Sequence, residues 1–249
     1  MTDPTTLATA ALVVAFASML QQATGFGFAL AATPLLALTV DAHAAVVLAL
    51  MIGFLGTAWQ AVDGRRACVW PVARRMLLGA SVGMVAGVVL FRLADARTLQ
   101  LLIGVAGLAA VAVLARGINL QHAGRRLDYG SGLLSGALTT SVGTNGPPLV
   151  FTLTARHFPP AAFRATLTTI FTLLDLISIA VFTVVGAITP DILVVLGWTL
   201  PSVVIGGALG VRLRPHLPPE RFRKVTLALL TATALAALIP ALLGRAGAA

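Results

Sequence analysis

Long, almost uninterrupted apolar runs of about 20 residues, each close to the length of a membrane span, alternate along this chain with short polar stretches. The runs are Leu7–Gln22, Ala44–Ala61, Val72–Phe91, Leu99–Ala115, Leu167–Ile188, Ile192–Val211 and Val225–Leu243. As helices they match a hydrocarbon core of ~30 Å. A spanning segment has to satisfy its own backbone hydrogen bonds, which leaves helices or a closed barrel. Barrel strands alternate apolar with polar positions, and these runs do not. The pattern therefore predicts an all-α, multi-pass integral membrane protein.

Two places break the simple rhythm. The apolar stretch Leu7–Val40 would reach ~51 Å as one helix, too far for a single crossing, and the glycines near position 25 interrupt it. Later, Tyr129–Ser141 and Pro147–Ala155 are each too short to cross. Both places predict a broken, re-entrant helix hairpin that turns near the midplane and leaves on its side of entry.

The two breaks also mark a repeat. Thr24-Gly25-Phe26-Gly27 leads into Thr33-Pro34-Leu35-Leu36, and Val142-Gly143-Thr144-Asn145-Gly146 leads into Pro147-Pro148-Leu149-Val150. Pro71 and Pro190 each open a span, and the pair Gly83/Gly87 reappears as Gly206/Gly210. These landmarks recur in one order at a spacing of about 120 residues, the mark of an internal duplication. The expected organisation is a first repeat over 1–116, a cytoplasmic linker over 117–128 and a second repeat over 129–249. Each repeat has one hairpin and three transmembrane helices.

Composition agrees with the pattern, and charge adds orientation. Of 249 residues, 58% are hydrophobic and 10% charged, whereas soluble domains carry about 25% charged residues. The formal net charge of +9 does not indicate nucleic-acid binding, because the basic residues sit in short loops between spans. With both hairpins re-entrant, 14 of the 17 Lys and Arg residues fall on one side, and only Arg92, Arg97 and Arg245 on the other. If each broken segment crosses once, the split is 9 to 8. Cytoplasmic loops concentrate Lys and Arg, which favours the re-entrant arrangement. Three crossings per half then invert one half relative to the other, as in many secondary transporters. Met1–Thr6 carries Asp3 and no basic residue, unlike a secretory signal.

The breaks hold the chemistry. The first offers Gln21, Gln22, Thr24, Gly25 and Gly27; the second offers Thr140, Ser141, Gly143, Thr144, Asn145 and Gly146. Restarting a helix presents free N–H groups and the positive end of a dipole, which suit an anion. These eleven residues are the candidate substrate-binding set. Asp175 is an acid well inside an apolar span, and Thr168, Thr172 and Ser178 share its helix face. An ionisable group at membrane depth is a functional candidate, so Asp175 and Thr172 are assigned to coupling or gating. Gly79, Gly83 and Gly87, like Gly132 and Gly136, have the spacing of close helix packing. His43, His122, His157 and His216 stand singly in predicted loops, and Cys68 is the single cysteine. Neither a metal site nor a cofactor is expected, and no nucleophile–base motif suggests an enzyme.

On Gln22-Ala23-Thr24-Gly25-Phe26-Gly27 with Thr33-Pro34-Leu35-Leu36, and on Ser135-Gly136 followed by Gly143-Thr144-Asn145-Gly146-Pro147-Pro148-Leu149, the chain resembles the TauE/SafE (sulfite exporter) family over essentially its whole length. The resemblance implies a cell-membrane permease for a small anion such as sulfite, an organosulfonate or a related oxyanion or carboxylate. The expected mechanism is alternating access, with the substrate between the two breaks. The expected partners are that solute and the lipid bilayer, with a homodimer as an option and no nucleic acid. The alternatives are a cation-coupled importer of another small solute and a non-transporting membrane partner subunit.

Overall fold

The computed structural model describes residues 2–24, 28–116, 124–156, 158–213 and 219–243. These residues are all-helical, with no strand among them. The helices are α1 (Pro4–Thr24), α2 (Phe28–Leu36), α3 (Ala42–Gly64), α4 (Trp70–Leu93), α5 (Ala96–Arg116), α6 (Arg125–Val142), α7 (Gly146–Ala155), α8 (Pro160–Val184), α9 (Pro190–Leu213) and α10 (Pro219–Leu242). Among the described residues, five helices are long and apolar enough to cross a membrane: α1, α3, α4, α8 and α9.

Local sequence sets several boundaries. Pro71 and Pro160 sit in the first turns of α4 and α8, where a missing N–H costs nothing. Asp41 caps α3, its carboxylate accepting from His43 N at 2.8 Å and Ala44 N at 3.4 Å. His43 belongs to this first turn rather than to a loop, and its Nε2 lies 3.1 Å from Phe91 O and 3.2 Å from Ala94 O. The other three histidines lie outside the described residues. Arg125–Asp128, read from polarity as the end of the linker, form the first turn of α6.

The largest pairings join α4 with α6, α1 with α9, α3 with α8, and α5 with α10. Glycine makes two of them intimate. A Cβ added to Gly79, Gly83 or Gly87 would collide with the backbone of Tyr129, Leu133 or Ala137 in α6, and one on Gly132 or Gly136 would collide with Met76 or Ala80 in α4. Gly206 and Gly210 meet the Ala15 and Met19 carbonyls of α1 in the same way. The small-residue spacing therefore serves close packing. In both pairs the contacts advance in step along the two chains, so α4 and α6 run parallel, as do α1 and α9.

Helices α3 and α8 run antiparallel. Gly64 meets Ala165 near one end, Gly53 meets Asp175 in the middle, and at the other end Phe182 packs on Phe91 beside His43. α5 and α10 are antiparallel as well: Arg97 Nε donates to Ala241 O at 2.9 Å while Gly104 and Gly107 approach Leu238 and Ala234.

Both ends of the α6–α7 pair are tied together. Asp128, fully buried at the start of α6, faces Arg75 Nε at 2.8 Å and Arg156 Nη2 at 2.8 Å. The Arg75 contact is a well-aligned hydrogen bond, and the Arg156 contact is an ion pair. Arg156, which follows α7, also donates to Gly124 O at 3.2 Å. The residue leaving the hairpin thus touches the residues entering it.

Candidate functional site

The break between α6 and α7 is built by Gly143. Its φ of 69° is left-handed, a conformation glycine adopts without steric cost. The Gly143 and Thr144 N–H groups bond back to Thr139 O at 3.1 Å and Leu138 O at 3.2 Å. Ser135 Oγ donates to Asn145 O at 2.5 Å, which secures the far side of the turn. Thr33 Oγ1 of α2 donates to Gly143 O at 3.4 Å, so the first hairpin touches the tip of the second.

This turn carries Asn145 to α8. Asn145 Nδ2 donates to Asp175 Oδ1 at 2.8 Å, with both residues buried. The other carboxylate oxygen faces Gly53 of α3, where a Cβ would lie 3.1 Å away. Gln21 of α1, also buried, sets its Oε1 against Gly56, one helical turn further on.

These groups border one cavity of ≈ 20 Å³, room for about one water molecule. Its polar lining is Gln21, Thr57, Thr144, Asn145 and Asp175, with Gly53 and Gly146 supplying bare backbone. Phe28, Ala29 and Leu30, the first turn of α2, close one side, and Phe171 another. Asp175 is the one charged residue lining it among the described residues. Two helix N-termini, those of α2 and α7, therefore border the same space. At α7 the contribution is reduced, because Pro147 and Pro148 have no N–H to offer, leaving Gly146 as the first-turn donor.

The structure brings together Gln21, Thr144, Asn145, Gly146 and Asp175 of the sequence-derived set. It places four others elsewhere. Gln22 lies against Gly207 and Gly210 of α9. Thr140 Oγ1 donates to Met84 O at 2.8 Å across the α4–α6 contact. Ser141 Oγ donates to Ala137 O of its own helix at 2.6 Å. Thr172 Oγ1 donates to Thr57 Oγ1 at 3.0 Å, one turn from Asp175 and behind the cavity wall. Gly143 shapes the turn without lining the space. Gly25 and Gly27 lie outside the described residues, and Thr24 is described only as the last residue of α1. Gly53 and Thr57 are site residues that the sequence reading missed. Their signal was present: Gly53, Thr57 and Gln60 interrupt an apolar span at helical spacing.

Comparison with known proteins adds two likenesses. The family model described as "Sulfite exporter TauE/SafE" matches residues 10–237. A protein of Cupriavidus necator named "Probable sulfite/organosulfonate exporter TauE" is 27% identical over 233 residues, covering 89% of this chain and 90% of that protein. No solved structure matches.

Proposed function

Because the chain belongs to the TauE/SafE sulfite exporter family, we propose that it is a secondary transporter of the cell membrane that moves a small anion of the sulfite, organosulfonate or related carboxylate class. The observation that carries this reading is the cavity itself. It draws Gln21, Gly53 and Thr57 from the first half and Asn145, Gly146 and Asp175 from the second, beside two helix N-termini. Helix N-termini and neutral amide donors hold an anion without a fixed cation. An anion bound in this way is also readily released, as a transporter requires.

The halves act as inverted repeats. Support comes from the pairing: α3 and α8, equivalent in the repeat, run antiparallel, as do α5 and α10. The partner of α4 is the first helix of the second half, and the partner of α9 is the first helix of the first half. Re-entry of the second hairpin is supported by the Asp128–Arg156 pair, which joins its entry to its exit. A cavity of ≈ 20 Å³ has room for about one water molecule, and an oxyanion is larger than that. In the proposed cycle the cavity widens to admit the anion, and substrate reaches it from either side by alternating access. Asp175 serves coupling or gating within this cycle.

Uptake of labelled sulfite, methanesulfonate or acetate into proteoliposomes tests the proposal. Folded protein should move at least one of them faster than empty vesicles, and Asn145→Ala should abolish that flux. Folded wild-type protein that moves none of these anions would refute it.

A further inference from the structure

Asp175 presents a difficulty for an anion site that turns into a mechanism. Its carboxylate already holds the Asn145 side-chain amide at 2.8 Å. A carboxylate is itself a small oxyanion, and here it occupies a side-chain donor that an incoming anion needs. The remaining space is ≈ 20 Å³. We infer that Asp175 is a tethered stand-in for the transported anion: it occupies Asn145 when the carrier is empty, and the anion binds by displacing it together with the uptake of one proton. The inference rests on the reading of this cavity as the anion site.

The geometry explains why a proton must accompany the exchange. Displaced from Asn145, an ionised Asp175 would be buried beside a second negative charge. No cation faces it among the described residues. α3 brings Gly53 and Thr57, α1 brings Gln21, and the α6–α7 turn brings Thr144 and Asn145. On α8 itself the neighbours on its face are Thr172 and Ser178. The charged groups of α4 stay near its ends, Arg74 and Arg75 at one and Arg92 at the other. In the empty carrier the Asn145 N–H compensates the ionised carboxylate; once that bond is given up beside a second negative charge, an unpaired buried charge is far more costly than a neutral acid. The proton settles on Asp175, converting the carboxylate to a carboxylic acid whose O–H can donate to the bound anion. Leaving the site, the anion returns Asn145 to Asp175 and the proton to water. In the empty carrier the tethered carboxylate also spares Asn145 from an unsatisfied, buried amide.

Two measurements on the full-length chain in detergent test this, with methanesulfonate as probe because it stays a monoanion throughout. Calorimetric titration in buffers of different ionisation enthalpy counts the protons taken up. Wild type should take up about one proton per anion, its affinity falling about tenfold per pH unit as pH rises. Asp175→Asn should bind at least tenfold tighter than wild type near pH 8, with a flat pH profile, whereas Asn145→Ala should lose binding. A wild type that binds without proton uptake overturns the inference, as does an Asp175→Asn variant that binds no tighter than wild type. The proton count needs only the wild type, so it decides the question even if the variant does not fold. A wild type that binds no anion in any buffer refutes the anion-site reading instead.

Discussion

Removing the charge of Asp128 should destabilise the protein by about 3 kcal/mol. The carboxylate is completely buried, and its two oxygens each lie 2.8 Å from a guanidinium nitrogen, Arg75 on one side and Arg156 on the other. Asp128→Asn preserves volume but leaves two positive charges facing each other across a neutral amide. At an effective dielectric of 20, a pair of unit charges 4 Å apart is worth about 4 kcal/mol, and burying the carboxylate offsets part of this. Breaking a buried pair from one side costs about 3–5 kcal/mol. The Arg75 and Arg156 side chains keep 22% and 13% of their surface exposed. Water reaching them places the loss at the lower end. Cys68 provides the assay, being the single cysteine and 8% exposed. Its reaction with a thiol-reactive fluorophore on heating reports opening of the layer next to the clamp. By the scaling of soluble domains, the midpoint should fall by on the order of 6 °C. Adding Arg156→Gln should recover part of the loss, since it removes one of the unneutralised charges. A midpoint within about 1 °C of wild type, or strictly additive losses in the double variant, would show that Asp128 does not hold the hairpin.

Three further outcomes follow from the geometry. Gly83→Val and Gly206→Val should each destabilise by about 1–3 kcal/mol, because the new side chain meets the Leu133 carbonyl in one case and the Ala15 carbonyl in the other; equal losses by Cys68 labelling would match the paired roles of these contacts. Gly143→Ala should reduce anion flux severalfold, since it forces a left-handed residue (φ 69°) and a Cβ 3.2 Å from Val46 Cα; Gly186→Ala, with φ 71° but open space around it, carries only the strain and should keep its flux. Asp41→Ala should cost about 1 kcal/mol of stability at neutral pH through loss of the α3 cap. The His43 side chain beside Asp41 holds its carboxyl below the usual carboxylate range. The cap is therefore fully effective above that range and fades only as pH falls through the lowered value, so the gap between wild type and variant in urea titrations should close only in strong acid.

Fold class was legible because the membrane imposes it. Apolar runs with proline openings located α4 and α9 to within a few residues, and the glycine-rich breaks located the α6–α7 turn, whereas α8 begins at Pro160, well before the run that starts at Leu167. Side-chain direction was not legible. Gln21 and Gln22 are neighbours in sequence, yet the helix turns one toward the cavity and the other toward α9. Thr140 looked like a site residue because it is polar at membrane depth, but its hydroxyl serves the Met84 carbonyl of another helix. Asp128 was read as linker because it sits in a polar stretch; its partners Arg75 and Arg156 belong to other parts of the chain, and only the assembled fold makes it buried. Asp175 stood out as an acid inside an apolar run and is buried, while its bond to Asn145 depends on how the α6–α7 turn meets α8.

The packing also limits how the cavity can open. α1 is held to α9 and α6 to α4 by backbone contacts that leave no room for a Cβ. Each hairpin is thus fastened to a helix of the opposite half. If the two sequence halves rocked apart as rigid bodies, both glycine contacts would break, and each break would expose packed backbone with nothing of matching shape to replace it. Motion of the exchanged units, α1–α2 with α9 and α6–α7 with α4, keeps those contacts. What then has to slide is the looser boundary along α3 and α8, where Gly53 faces Asp175 and Thr57 bonds Thr172. That boundary holds the cavity, so under the proposed transport cycle a movement that admitted an anion would also separate or join Asn145 and Asp175.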